Sequence, residues 1–132
     1  MRIKQFIQTR AAVLSLAWGL IIFLLCATPG EYIPSSFWLE VLSVDKLVHV
    51  SMFFILLQLV LIALAARGKP ASLKVLFFLI CVLYGLGLEW MQAHLFSNRS
   101  ADWLDVLANT LGCTLALYFH RRVLRFLSNA TS

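Results

Sequence analysis

A chain of 132 residues that is 61% hydrophobic and only 13% charged is one small domain by length, and too apolar for a water-soluble fold of that size. Its formal net charge of +5 comes from basic residues at the ends of apolar runs, so it reads as a topology signal and not as a nucleic-acid footprint. What remains is an integral membrane protein, an all-α class because in lipid every backbone polar group of a spanning segment must be satisfied within it.

A span needs about 20 mostly apolar residues. Four stretches qualify, at about 11–27, 44–66, 73–95 and 103–119. The first follows Arg2, Lys4 and Arg10, which would also suit a secretory signal. Its apolar core is long for one, Cys26-Ala27-Thr28-Pro29 is a poor cleavage site, and Leu25 argues against a lipoprotein box, so a retained span is expected. The first loop contains Pro29-Gly30, Pro34-Ser35-Ser36 and Phe37-Trp38-Leu39, suited to a short amphipathic turn at the headgroups. The second, Arg67-Gly68-Lys69-Pro70, is a tight basic turn, and the third, 96–101, is short and polar. After Phe119 the chain could continue as a basic helix along the inner surface. Short connections make sequential helices antiparallel, giving a single-domain, four-helix up-down bundle over residues 1–132.

Nine of the eleven basic residues cluster around the first span's start, the second loop and the end of the fourth span. The positive-inside rule then puts both termini in the cytoplasm of a plasma-membrane protein. All six acidic residues, Glu31, Glu40, Asp45, Glu89, Asp102 and Asp105, fall at or toward the outer face. Cys26, Cys81 and Cys113 have no paired spacing and read as small packing residues. Asn98-Arg99-Ser100 and Asn129-Ala130-Thr131 match a glycosylation sequon without carrying weight.

The acidic residues share a layer. At 1.5 Å per residue, His49 lies roughly 7 Å below the outer start of the second helix and Glu89 roughly 9 Å below the outer end of the third. Asp102, Asp105, Asn109 and Gly112 keep within about an 80° arc of the fourth helix. Cys81, Gly85, Glu89 and Gln92 form a similar stripe on the third, and Asp45, His49 and Met52 on the second. Three stripes at one level predict a shared pocket open to the outer side. Plainer readings exist for several members. Asp45 and Asp102 each follow a serine by two residues, as first-turn acids below a serine cap would. Gly85, Gly87 and Gly112 suit close helix packing. Trp18, Trp38, Trp90 and Trp103 suit an aromatic belt, and His94 and His120 the interface.

Glu89 has no plain reading. It sits near a helix C-terminus, where the dipole disfavours an anion, and inside the slab, where a charged carboxylate costs on the order of 2.5 kcal/mol or more. Lys46, Arg99, His49, a bound cation or its own proton must compensate it. Asp45, Glu89, Asp102 and Asp105 against Lys46 and Arg99 leave the layer two negative charges in excess with His49 neutral. The cluster is expected to hold a proton, a divalent cation or a cationic group.

Together, Asp45-Lys46-Leu47-Val48-His49 with Phe53, then Gly85-Leu86-Gly87-Leu88-Glu89-Trp90-Met91-Gln92, then Arg99 with Asp102, Asp105, Asn109 and Gly112, resemble the VanZ-like family of small membrane proteins. The likeness covers about Asp45 to Ala116, and Ala116 stands where many members have a second glycine. That family takes its name from a member associated with low-level resistance to the glycopeptide teicoplanin. The resemblance implies an envelope-facing role.

Three classes of function follow. In the first, the site binds or processes an envelope component such as a polar-headed lipid, a polyprenyl-linked precursor or a glycopeptide-like ligand. Glu89, Asp105 and His49 would be acid/base groups, and Asp45, Lys46, His49, Gln92, Arg99, Asp102 and Asn109 would bind the ligand. Asp45, His49, Glu89 and Asp105 are the candidates for a metal, with a hard oxygen-liking cation favoured over a dedicated zinc site. In the second, Glu89 couples transport to protons or cations; the polar stripes stop short of the inner face, so a homo-oligomer would be needed to complete a path. In the third, the cluster fixes helix packing or scaffolds a partner. No activated serine, reactive cysteine or phosphate-cradling loop supports a covalent mechanism, which leaves catalysis open.

Overall fold

The structure, a computed structural model, describes residues 3–28, 44–95 and 102–128. Within them the chain forms four helices: α1 (Ile3–Cys26), α2 (Val44–Ala66), α3 (Ser72–Leu95) and α4 (Trp103–Ser128). The first loop's amphipathic turn, Trp38, Arg99 and both sequons fall outside the described residues in whole or in part. Two helices exceed the apolar runs that announced them. α1 starts eight residues ahead of the expected span because Lys4, Gln5, Gln8 and Arg10 are good helix formers although too polar for lipid. α4 runs nine residues past Phe119 as the basic helix anticipated there.

Three helices, over Phe6–Cys26, Asp45–Ala66 and Ser72–Leu95, are long and apolar enough to cross a membrane. α4 is not among them. Asp105, Asn109, Thr110 and Thr114 dilute its apolar stretch before His120, Arg121 and Arg122 end it. The expectation that all four helices qualify by apolarity is therefore met by three.

The reason lies in where α4 packs. α2 touches all three other helices and meets α4 most extensively. Phe53, Leu57 and Leu61 of α2 are wholly buried, together with Ile22 of α1 and Cys113 of α4. Leucines on the outer faces, Leu16, Leu83 and Leu107 among them, are more than 60% exposed, a surface suited to lipid tails and not to water. Cys26, Cys81 and Cys113 are buried in this core and form no disulfide, as small packing residues should be.

Polar atoms inside the bundle tie helix to helix. The Trp18 indole N–H donates to the Met52 carbonyl at 3.0 Å, and the Tyr84 hydroxyl to the Gly19 carbonyl at 2.7 Å. Gln92 donates to the carbonyl of Cys26 at 3.1 Å, and Gln58 to that of Ala116 at 2.8 Å. Cys26 lies in the last turn of α1, where carbonyls lack helical partners, so Gln92 both satisfies itself and caps that helix. Trp18 is thus an interhelical donor as well as an aromatic on the bundle's flank. His120 is 3% exposed within the bundle, with neither ring nitrogen hydrogen-bonded among the described residues.

The α2–α3 connection is the tight turn the sequence predicted. Gly68 has φ +60°, and its N–H reaches the Ala65 carbonyl at 3.0 Å while the Lys69 N–H reaches Leu64 at 3.0 Å. That pair of bonds closes α2 as a Schellman motif, for which glycine is the residue without a steric penalty. Beside this end, Ala11 of α1, Ile62 and Ala63 of α2 and Leu127 of α4 form a second apolar cluster. The start of α1 and the ends of α2 and α4 thus share one end of the bundle, with Arg10, Arg67, Arg121, Arg122 and Arg125 near it. The four carboxylates among the described residues, Asp45, Glu89, Asp102 and Asp105, gather at the other.

α2 and α4 approach most closely at Gly112. A Cβ there would run into the Val50 carbonyl and lie 3.0 Å from the Phe54 nitrogen, both backbone atoms of α2. Gly87, in contrast, would carry a Cβ into open space. Gly112→Ala should lower stability by about 1–3 kcal/mol because the backbone must move to admit the methyl group. Gly87→Ala should leave it unchanged or raised by up to about 1 kcal/mol through helix propensity. Thermal unfolding of the two variants in one detergent measures the contrast.

Candidate functional site

The close α2–α4 seam determines which side chains meet at the acidic end. Lys46 and His49 lie one turn apart on α2, facing the first turns of α4. Asp102 immediately precedes that helix and caps it: its Oδ1 accepts the Leu104 N–H at 2.8 Å. Its role is therefore the cap itself and not that of a first-turn acid below a serine. Its other oxygen, Oδ2, accepts a hydrogen bond from the Lys46 ammonium. The same ammonium bonds Asp105 Oδ1 and lies 3.0 Å from Asp45 Oδ2. One lysine, 23% exposed, thus gathers three carboxylates and fastens the start of α2 to the start of α4. The Lys46 ammonium and the Leu104 N–H together hold the Asp102 carboxyl below the usual carboxylate range.

One turn deeper, His49 Nδ1 stands 2.9 Å from Asn109 Oδ1. An amide oxygen only accepts, so Nδ1 carries a proton, and in the neutral ring Nε2 is the nitrogen with the lone pair. Nε2 faces Asp105 Oδ2 at 3.7 Å. Glu89 comes from α3 to the same place. It is 4% exposed; Oε2 accepts the Asp102 N–H at 3.2 Å, and Oε1 has no hydrogen-bond partner among the described residues. One nitrogen of His49 and one oxygen each of Glu89 and Asp105 all lie within 4.8 Å of one another.

Of the residues expected to share a pocket, Asp45, Lys46, His49, Glu89, Asp102, Asp105 and Asn109 converge where α2, α3 and α4 meet. Gln92 is on the right face of α3, but its amide is committed to α1. Asp45 is at the rim, with its side chain 54% exposed. Arg99 lies outside the described residues. Four carboxylates against one ammonium leave the described cluster three negative charges in excess while His49 is neutral. Lys46 does not bond Glu89, and the partner that Glu89 does have, the backbone N–H of Asp102, was invisible to a reading confined to side chains. The signal that could have found it is the four orphan N–H groups that open any helix.

Beside the cluster, a groove of about 490 Å³ runs between α3 and α4, lined by Leu86, Gly87, Trp90 and Trp103 and reaching Glu89 and Asp102 at the polar layer. Trp90 and His94 stack along it, ring centroids 4.8 Å apart. Its exposed walls are almost wholly apolar, even though Glu89, His94 and Asp102 are among the residues that line it.

A model of the VanZ/LLP1 family matches residues 4–125. The chain belongs to the VanZ/LLP1 family. This VanZ/LLP1 chain is also similar to the uncharacterized protein C11E3.10 of Schizosaccharomyces pombe, 36% identical over 84 residues, which cover 59% of this chain and 49% of that one. It therefore spans about half the length of the curated relative it matches. No solved structure matches.

Lys46→Met should cost the VanZ/LLP1 chain about 1–3 kcal/mol, between the range for exposed ion pairs and that for buried ones. Asp102 adds a pH dependence whose sign is fixed. With its folded pKa depressed, its contribution is present above the unfolded value near 4 and is lost as pH falls through the lower, folded value. Unfolding followed between pH 3 and pH 7 should show that acid loss in the wild type and a flatter profile in Lys46→Met.

Proposed function

We propose that the VanZ/LLP1 chain holds an amphiphile of the cell envelope at the outer face of the plasma membrane. The head group would meet Lys46, His49, Glu89, Asp102 and Asp105, and the tail would lie in the groove between α3 and α4. The observation that carries this reading is adjacency: Glu89 and Asp102, members of the polar cluster, are also among the residues that line an almost wholly apolar groove on the exposed flank of the bundle. An amphiphile needs a polar and an apolar compartment in continuity, and walls of this kind suit its hydrocarbon part.

A polar-headed lipid and a polyprenyl-linked precursor both fit that description. A glycopeptide-like ligand, and with it a link to the teicoplanin resistance of the member that gives the family its name, belongs to the same class of head-group recognition. Lys46, with Arg99 from the third loop, would grip a phosphate or carboxylate. Glu89, Asp105 and His49 are the groups able to move a proton at a bound head group. In this reading α4 crosses the membrane with the other three helices. Its polar stripe is turned to α2 and α3, where it does not meet lipid, which is why composition alone undervalues it. The arginines at its far end, with Arg10 and Arg67, support an N-in, C-in orientation with the carboxylate layer outside.

Gly87→Leu tests the reading, because a side chain there enters the groove without touching the core. Native mass spectrometry of the gently purified wild type should find an amphiphile bound. Gly87→Leu, with unchanged thermal stability, should lose most of it. A wild type that carries no lipid or precursor under those conditions, or a variant that carries the same one, would rule the groove out. A C-terminal tag accessible from the periplasmic or extracellular side would overturn the orientation.

A further inference from the structure

We propose that His49 Nε2, Glu89 and Asp105 form a binding site for one divalent first-row transition-metal ion, such as Zn²⁺ or Mn²⁺. The inference goes beyond the amphiphile reading and stands without it.

Three observations converge. The first is the tautomer of His49. Asn109 Oδ1, at 2.9 Å from Nδ1, fixes the ring proton on the side away from the carboxylates. A metal-ligating histidine is held in just this way, its second nitrogen donating to an oxygen that orients the ring and raises its basicity. Asn109 is itself 2% exposed and locked in the α2–α4 seam, so the ring orientation is set by packing before any ion arrives.

The second is the Nε2–Asp105 Oδ2 separation of 3.7 Å. That is too long for a hydrogen bond, so a proton shared between the two does not explain their approach. Two ligands of one ion at bond lengths of about 2.0–2.2 Å stand roughly 3.3–3.6 Å apart in a tetrahedron, which is close to what the pair shows. Asp105 can serve because its work is divided: Oδ1 holds Lys46, and Oδ2 is turned to His49.

The third is Glu89. Its carboxylate is 4% exposed, and Oε1 has no hydrogen-bond partner among the described residues. A buried carboxylate oxygen without a partner carries a desolvation cost of several kcal/mol that a cation would remove. The three donor atoms within 4.8 Å of one another need a contraction of about 1 Å to reach tetrahedral spacing, within the reach of carboxylate side-chain rotation. The donor set then decides the ion. One imidazole with two carboxylates suits Zn²⁺, Mn²⁺ or Fe²⁺, whereas Ca²⁺ and Mg²⁺ prefer all-oxygen surroundings. Three protein ligands leave positions for water or for an oxygen of a bound head group. Asp45, held at the rim by Lys46, is not a ligand in this arrangement.

The experiment uses the full chain in detergent, stripped with chelator and then titrated with Zn²⁺ or Mn²⁺ alone. The stripped wild type should take up one equivalent that survives gel filtration, read by elemental analysis. Glu89→Gln and His49→Ala should each bind at least about tenfold more weakly, the scale on which even outer-shell partners act. Gly87→Leu should bind the ion like the wild type, so loss of amphiphile and loss of metal are separate outcomes. For the wild type, pulsed electron paramagnetic resonance of bound Mn²⁺ should show coupling to a single imidazole nitrogen, a readout that does not depend on any variant folding. A folded wild type that retains no ion, bound Mn²⁺ without nitrogen coupling, or a folded Glu89→Gln and His49→Ala pair with unchanged affinity would overturn the site.

Discussion

The approach of α2 to α4 at Gly112 is the constraint from which the rest of the structure follows. With no side chain at that position, the Val50 and Phe54 backbone of α2 comes against α4 directly. In lipid, helices gain little from hydrophobic burial and associate through close packing and polar contacts, so a small residue at the crossing has a large effect on geometry. The seam brings Asn109 to His49 and Asp105 to Lys46, one and two turns toward the acidic end. Side chains of ordinary length then reach across without stretching.

Much of this was legible in the sequence because membrane helices obey few rules strictly. Span length, the placement of arginines and the 100° spacing of Asp105, Asn109 and Gly112 foretold the helices, the segregation of charge and the shared polar layer. Glu89, flagged because neither the helix dipole nor lipid welcomes it, does lie buried at the centre of the layer. The individual pairings were not legible. Spacing gives a residue's face and depth, but the choice of partner depends on ångström-scale approach between helices. Lys46 was a reasonable partner for Glu89 by depth, yet the seam hands it to α4 and leaves α3 out. Gln92 has the right face and depth too, but the carbonyl of Cys26 claims it. The helix ends were misjudged for a different reason: hydropathy marks where lipid would be, and helices continue beyond lipid when their polar turns favour it.

The α4 helix shows the same limit from the other side. Read by composition it is less apolar than its neighbours and falls outside the range for a span. Its faces differ, however; Asn109, Gly112, Cys113 and Ala116 are buried on one while Leu107, Leu111, Thr114 and Tyr118 are exposed on the other. A window average cannot register that separation, because it weighs an asparagine bonded to a histidine as if it faced lipid.

The charge distribution within the layer has a consequence for how the site would respond to a ligand. Lys46 is saturated by Asp45, Asp102 and Asp105, so the described cluster has no idle cation with which to attract an anion. An anionic head group could engage Lys46 only by displacing one of those carboxylates, and the half-exposed Asp45 is the easiest to displace. A bound divalent ion changes the sign of the problem: with Glu89, His49 and Asp105 committed to it, the local charge rises by two, and a phosphate or carboxylate becomes a favourable further ligand. A cationic head group would reverse the order, competing with the metal for the same oxygens. The two kinds of amphiphile are thus distinguished by whether metal and lipid bind cooperatively or exclusively, a thermodynamic coupling that must be equal in both directions.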